Sequence, residues 1–133
     1  MSTIAHIAVS ISNIDRSLAF YRKYFGFRRI EEFKISPGDF RICILRKDKI
    51  TLELFEFKHR RSLPAYRKQL SSDLKTIGVK HFAFAERNIT AAYNRFKKAK
   101  VKLATNIRVF EDGLRYFFIK DPDGILIEIM EAE

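Results

Sequence analysis

The chain repeats itself, and the repeat limits what it can fold into. His81 lies 75 residues after His6, and Glu128 lies 75 residues after Glu53. At the same offset Ala8 falls on Ala83, Asn13-Ile14 on Asn88-Ile89, Ile44 on Ile119 and Asp48 on Asp123. Tyr21-Arg22-Lys23 falls on Phe96-Lys97-Lys98, which keeps the order aromatic, basic, basic. No gap is needed anywhere on this diagonal. A chain of 133 residues therefore reads as two copies of one supersecondary unit joined by a connection, the pattern expected of an internal duplication.

Local signals give both copies the same order of elements. Residues Ile4 to Ile11 alternate as a strand does. Asn13 suits a helix N-cap, with Asp15 in the first turn. Leu18, Tyr21 and Phe25 form one apolar stripe at helical spacing, and Gly26 supplies the stop. Strands follow over Phe27 to Lys34, Phe40 to Arg46 and Ile50 to Phe55, with turns at Ser36-Pro-Gly-Asp39 and Lys47-Asp48. In the second copy His81 to Ala85 is a strand. Asn88 caps a helix through Lys98 with Ala92, Tyr93 and Phe96 as its stripe. Strands are expected over Lys102 to Ile107, Leu114 to Lys120 and Ile125 to Met130. Asp121-Pro-Asp-Gly124 is a strong turn between the last two. The expected organisation is a βαβββ module over residues 1–57, a basic linker over 58–78 in which Pro64 starts a short helix, and a second βαβββ module over 79–133.

Strand parity singles out four residues. Successive side chains of a strand point to opposite faces. Ile7, Val9 and Ile11 oppose His6, and Leu52 and Leu54 oppose Glu53. Phe82 and Phe84 oppose His81, and Ile127 and Ile129 oppose Glu128. The apolar sets should pack under the helices, which leaves the four polar residues mid-strand on the other face. Ionised carboxylates placed so are costly unless paired or bound to a cation. Two imidazoles and two carboxylates at duplicated positions make a nitrogen–oxygen donor set suited to Zn, Ni, Co, Mn or Fe(II), with room left for substrate oxygens. His59 has no counterpart in the repeat and is read as a surface residue, as are Arg60, Arg61 and Lys68.

The remaining composition narrows the class. The net charge is +10, so anionic small molecules are favoured partners. The basic residues lie on the two helices (Arg16, Arg22, Lys23; Arg95, Lys97, Lys98, Lys100) and in the linker, where solvated faces account for them. No nucleic-acid-binding signature accompanies them. Cys43 is the single cysteine and lies in an apolar run, so it reads as a buried residue of a reducing, cytoplasmic setting. No apolar run is long enough to span a membrane, and no secretory signal is seen at Met1-Ser2-Thr3.

Several segments resemble the vicinal oxygen chelate superfamily, which includes glyoxalase I, methylmalonyl-CoA epimerase, metal-dependent fosfomycin resistance proteins and extradiol dioxygenases. They are Ile4-Ala-His-Ile-Ala-Val9, Ser17-Leu-Ala-Phe-Tyr21 with Phe25-Gly-Phe27, Thr51-Leu-Glu-Leu54, Gly78-Val-Lys-His-Phe-Ala-Phe84 and Asp121-Pro-Asp-Gly-Ile-Leu-Ile-Glu128. The resemblance implies an α+β fold, in which two tandem βαβββ modules form a cupped, partly open mixed sheet around a metal, and a homodimer. It also implies His6, Glu53, His81 and Glu128 as ligands of a divalent ion, in the order glyoxalase-like members use. Extradiol dioxygenases use one carboxylate fewer. Bacterial glyoxalase I places an Arg and an Asn for glutathione four residues after the first and second ligands; here those positions hold Ser10 and Phe57.

The implied activity is that of a glyoxalase I-type lyase or isomerase. It would abstract a proton next to a carbonyl of a chelated substrate, with Glu128 or Glu53 as general base. Epimerase-like, fosfomycin-type transferase and non-catalytic ligand-binding roles are the alternatives.

Overall fold

A computed structural model describes residues 1–36 and 38–133. Pro37, part of the turn expected at Ser36 to Asp39, lies outside the described residues. The chain divides into two compact units, Met1–Ser62 and Leu63–Glu133.

Unit one contains β1 (Ile7–Ile11), α1 (Ile14–Phe25), β2 (Arg28–Ser36), β3 (Phe40–Lys47) and β4 (Ile50–Phe57). Its sheet has the order β1-β4-β3-β2, with β1 parallel to β4 and the other pairs antiparallel. Unit two opens with a single 3₁₀ turn (Ala65–Arg67) and a short helix α2 (Leu70–Lys75). It continues with β5 (Phe82–Glu86), α3 (Ile89–Lys98), β6 (Arg108–Val109), β7 (Arg115–Lys120) and β8 (Leu126–Glu131). The order β5-β8-β7-β6, with β5 parallel to β8, repeats the first sheet. The fold is thus α+β, a tandem pair of βαβββ units with open mixed sheets.

The helices form for the reasons the sequence supplies. The Asn13 side chain accepts a hydrogen bond from the Arg16 amide at 2.9 Å, and Asn88 does the same for Ala91 at 2.9 Å. Gly26 ends α1 in the left-handed region, φ 74°, where its N–H reaches the Arg22 and Tyr21 carbonyls. Ile14, Leu18, Tyr21 and Phe25 of α1 are buried, as are Cys43, Leu45, Leu52 and Leu54 on the helix-side face of the sheet. Ile89, Ala92 and Phe96 of α3 are buried likewise, with Phe117, Ile119, Ile127 and Ile129.

A charged strand side chain stitches each helix to its sheet, a carboxylate in unit one and a guanidinium in unit two. Glu56 on β4 accepts a hydrogen bond from the Ile14 amide at 2.7 Å, at the N-terminus of α1, and pairs with Arg41 on β3. In unit two Arg115 on β7 pairs with Glu131 on β8 at 2.7 Å and donates to the Thr90 hydroxyl at 3.1 Å, at the start of α3. Arg41 also binds Glu32, and that guanidinium holds the Glu32 carboxyl below its ordinary value. Burial pushes the Cys43 thiol up, as suits an inert core residue.

Two expectations need correction. Strand β1 begins at Ile7 rather than Ile4, and β5 begins at Phe82 rather than His81, so neither histidine is mid-strand. Their partners explain this. Ile7 faces Leu52 and Phe82 faces Ile127, and β4 and β8 themselves start only one or two residues earlier, at Ile50 and Leu126. A longer β1 or β5 would have little ladder to pair with. The strand expected over Lys102 to Ile107 is also replaced. It shrinks to an isolated bridge, Leu103 to Ile119, followed by the two residues of β6. Here the buried Thr105 hydroxyl accepts the Phe118 amide at 3.0 Å, while the amides of Ala104 and Thr105 both reach the Phe118 carbonyl. A side chain has taken a ladder position that a backbone carbonyl would fill.

Candidate functional site

Each unit brings a histidine to a glutamate on its open face. His6 stands one residue before β1 and Glu53 in the middle of β4, and their Nε2 and Oε2 atoms are 3.5 Å apart. His81 stands one residue before β5 and Glu128 in the middle of β8, 3.0 Å apart through the same atom types. Cross-strand register fixes the faces. Glu53 lies opposite Ala8 and Ile44, and Glu128 lies opposite Ala83 and Phe118. In both sheets this is the side away from the buried apolar residues that meet the helices. The parity argument holds for all four side chains, although two of them precede their strands.

The two pairs differ in surroundings. The His6 side chain is 47% exposed, that of His81 only 19%. The His81 ring packs edge-on against Phe118, centroids 4.8 Å apart at 88°. Its Nδ1 is buried without a hydrogen-bond partner among the described residues. Packing therefore orients this ring in place of the carboxylate or carbonyl that commonly holds the second nitrogen of a ligating histidine. Nε2 is the nitrogen turned to the carboxylate.

The backbone just before His81 is also fixed. Lys80 donates to the carbonyls of Asp73, at 2.8 Å, and of Thr76, at the C-terminal end of α2. Its ammonium lies 3.5 Å from the buried Asp73 carboxylate, which Arg67 approaches to 3.2 Å. The linker, expected as a basic surface stretch with one short helix, holds a 3₁₀ turn after Pro64, a helix and an ionic cluster around the buried Asp73. A sequence signal for the cluster exists: Asp73 is the lone acid between Glu56 and Glu86 in a basic run. Arg60, Arg61, Lys68 and His59 are exposed, as expected.

These pairs fit the donor chemistry of a divalent ion. Two donors each about 2.1 Å from one ion stand about 3.0 Å apart at a right angle and about 3.4 Å apart at the tetrahedral angle. The observed 3.0 and 3.5 Å separations match the edges of such a coordination shell. Each unit by itself supplies two donors. Among the described residues no group of three or more His, Cys, Asp or Glu side chains is gathered at metal-holding distance.

The family model described as Glyoxalase/Bleomycin resistance protein/Dioxygenase superfamily matches residues 3–129. The chain belongs to this superfamily. Among its relatives, the uncharacterized protein YaeR of Escherichia coli strain K12 is 28% identical over 98% of this chain and 97% of its own. The structure of a glyoxalase family protein from Enterococcus faecalis superposes with a TM-score of 0.80, at 25% identity and 97% coverage of both chains. A trypanothione-dependent glyoxalase I from Leishmania major shares the superfamily fold, with a TM-score of 0.73 at 18% identity, covering 98% of this chain and 87% of that one. Among the described residues no helix is long and apolar enough to cross a membrane.

Proposed function

We propose that the chain is a metal-dependent lyase or isomerase of the glyoxalase I type, acting on a small substrate that chelates the ion through two oxygens. The observation that carries this reading is the duplicated His–Glu pair, brought together on the open face of each sheet. Superfamily membership supports it.

His6, Glu53, His81 and Glu128 would hold one divalent ion, Zn, Ni, Co, Mn or Fe. A homodimer is the assembly proposed, in a cytoplasmic setting, with the residues from Met1 to Glu133 acting as one superfamily domain. When bound, the ion would polarise a substrate carbonyl and lower the cost of the negative charge left when the neighbouring C–H proton departs. Glu128, or Glu53 by symmetry, would take that proton on a carboxylate oxygen and return it to the adjacent carbon or oxygen. The +10 charge would favour an anionic substrate. Phe118, edge-on to His81 on the same face as Glu128, would shield that side of the site from water.

The test loads the protein with each metal and offers methylglyoxal–thiol adducts and acyl-CoA thioesters. Turnover should require the metal. Glu128→Gln should lower it by about 10²- to 10⁴-fold while the circular dichroism spectrum stays unchanged. Full turnover in that variant removes the base assignment, and turnover without metal removes the metal centre.

A further inference from the structure

The open face of unit one continues beyond Glu53 as an apolar shelf. Register places Phe55 and Phe57 of β4 on the same side as Glu53, together with Phe40, Ile42 and Ile44 of β3 and Phe33 of β2. Two of the rings are already stacked: Phe40 lies on Phe57 with centroids 4.1 Å apart and planes 12° apart. Phe55 meets Phe40 edge-on at 6.0 Å. Along β4 no polar side chain interrupts this face between Glu53 and Phe57.

This shelf is not core. Phe33 and Phe57 are 39% and 40% exposed, and the other four are half-buried. On the helix side of β3 and β4, Cys43, Leu45, Leu52 and Leu54 are buried. The corresponding face of unit two carries Phe118 and Tyr116, edge-on to each other, with Ala83, Ala85 and Met130 around Glu128, so among the described residues the face-to-face stacked pair belongs to unit one.

We propose that the substrate carries a flat apolar body, aromatic or conjugated, which lies on Phe55 and stacks against the Phe40–Phe57 pair while its oxygens are held at the His6–Glu53 end. The inference rests on the metal-dependent reading above and names the substrate class for it. Continuity decides for a small molecule: the shelf begins at the residues beside the proposed ligand carboxylate. Strand geometry places Phe57 about 14 Å from Glu53 along β4, the span of a chelating head followed by about two rings. Rings already stacked in place lose little freedom on binding a third.

The probes are three hydroxamates with identical chelating oxygens: acetohydroxamate, benzohydroxamate and 4-phenylbenzohydroxamate. Titrated into the zinc-loaded protein, they should bind in that rising order, with about tenfold tighter binding per ring. Phe57→Asn should abolish the gain from the second ring and leave the Kd of acetohydroxamate unchanged. Phe57→Tyr, which keeps the ring, should keep the gain. Equal affinity for the three probes, or a full gain in Phe57→Asn, overturns the shelf and leaves the metal reading intact. Failure of acetohydroxamate to bind the zinc-loaded protein removes both. A change of oligomeric state in Phe57→Asn with the ring gain unaltered shows that a second copy covers this face, which also overturns the proposal.

Discussion

The two units start from one sequence plan and hold the same donor pair in different ways. In unit one the histidine is half exposed, 3.5 Å from its glutamate, and follows five exposed N-terminal residues. In unit two the histidine is largely covered, 3.0 Å from its glutamate, edge-on to Phe118, and follows a lysine fixed on a helix end. Their edge strands diverge as well: β2 has nine residues and β6 has two. Duplication preserved the donor atoms and the side of the sheet they occupy. What surrounds them differs: unit two has the packed and hydrogen-bonded support, and unit one has the stacked aromatic shelf.

The contrast can be broken at its supports. The largest effect should come from Lys80→Met. It leaves the buried Asp73 carboxylate with Arg67 as its ionic partner and the end of α2 without its cation. Removing one partner of a buried ion pair costs several kcal/mol, and because Lys80 is itself partly exposed we expect about 2–3 kcal/mol, read by urea denaturation. Amide exchange should rise over α2 and β5 and stay unchanged in unit one. A loss below about 0.5 kcal/mol would show that β5 holds itself in place.

Thr105→Val addresses the edge strands. It removes the hydroxyl that accepts the Phe118 amide and leaves that buried N–H unpaired, so a loss of about 1–2 kcal/mol is expected by the same assay. A neutral result would mean that the chain re-forms a regular ladder there, and that the short β6 is not set by Thr105.

The smallest effect concerns pH. In the folded protein Arg41 depresses the Glu32 carboxyl, and Arg115 depresses Glu131. A carboxyl whose folded value lies below its unfolded value stabilises the fold above the ordinary carboxylate range. That contribution fades as pH falls through the folded value. Arg41→Met should therefore reduce stability at pH 7 by about 1 kcal/mol and much less at pH 2–3, in urea melts at the two pH values. An equal loss at both would mean that Arg41 acts by packing its stem and not by charge.

Much of this architecture is legible in the chain. The repeat gives two like units, the capping asparagines and Gly26 give the helix ends, and alternation gives the face of all four candidate residues. Each of these signals is local or periodic. The parts that escape depend on partners far along the chain. Where β1 and β5 begin is set by where β4 and β8 begin. The loss of the strand over 102–107 depends on a hydroxyl reaching β7. Lys80 is fixed by a helix that a basic, Pro-containing stretch barely advertises, and only the isolation of Asp73 among basic residues hints at it. Phe118 touches His81 because of register, which alternation alone does not specify.

The central claim is that both His–Glu pairs serve one ion. X-ray absorption at the zinc K-edge of the stoichiometrically loaded protein, with metal content measured per chain, tests it directly. The account predicts one ion per chain with two imidazoles and oxygen donors in its first shell, and one imidazole after His6→Ala or His81→Ala. Two ions per chain with a single imidazole each, or a shell unchanged by either substitution, would contradict it.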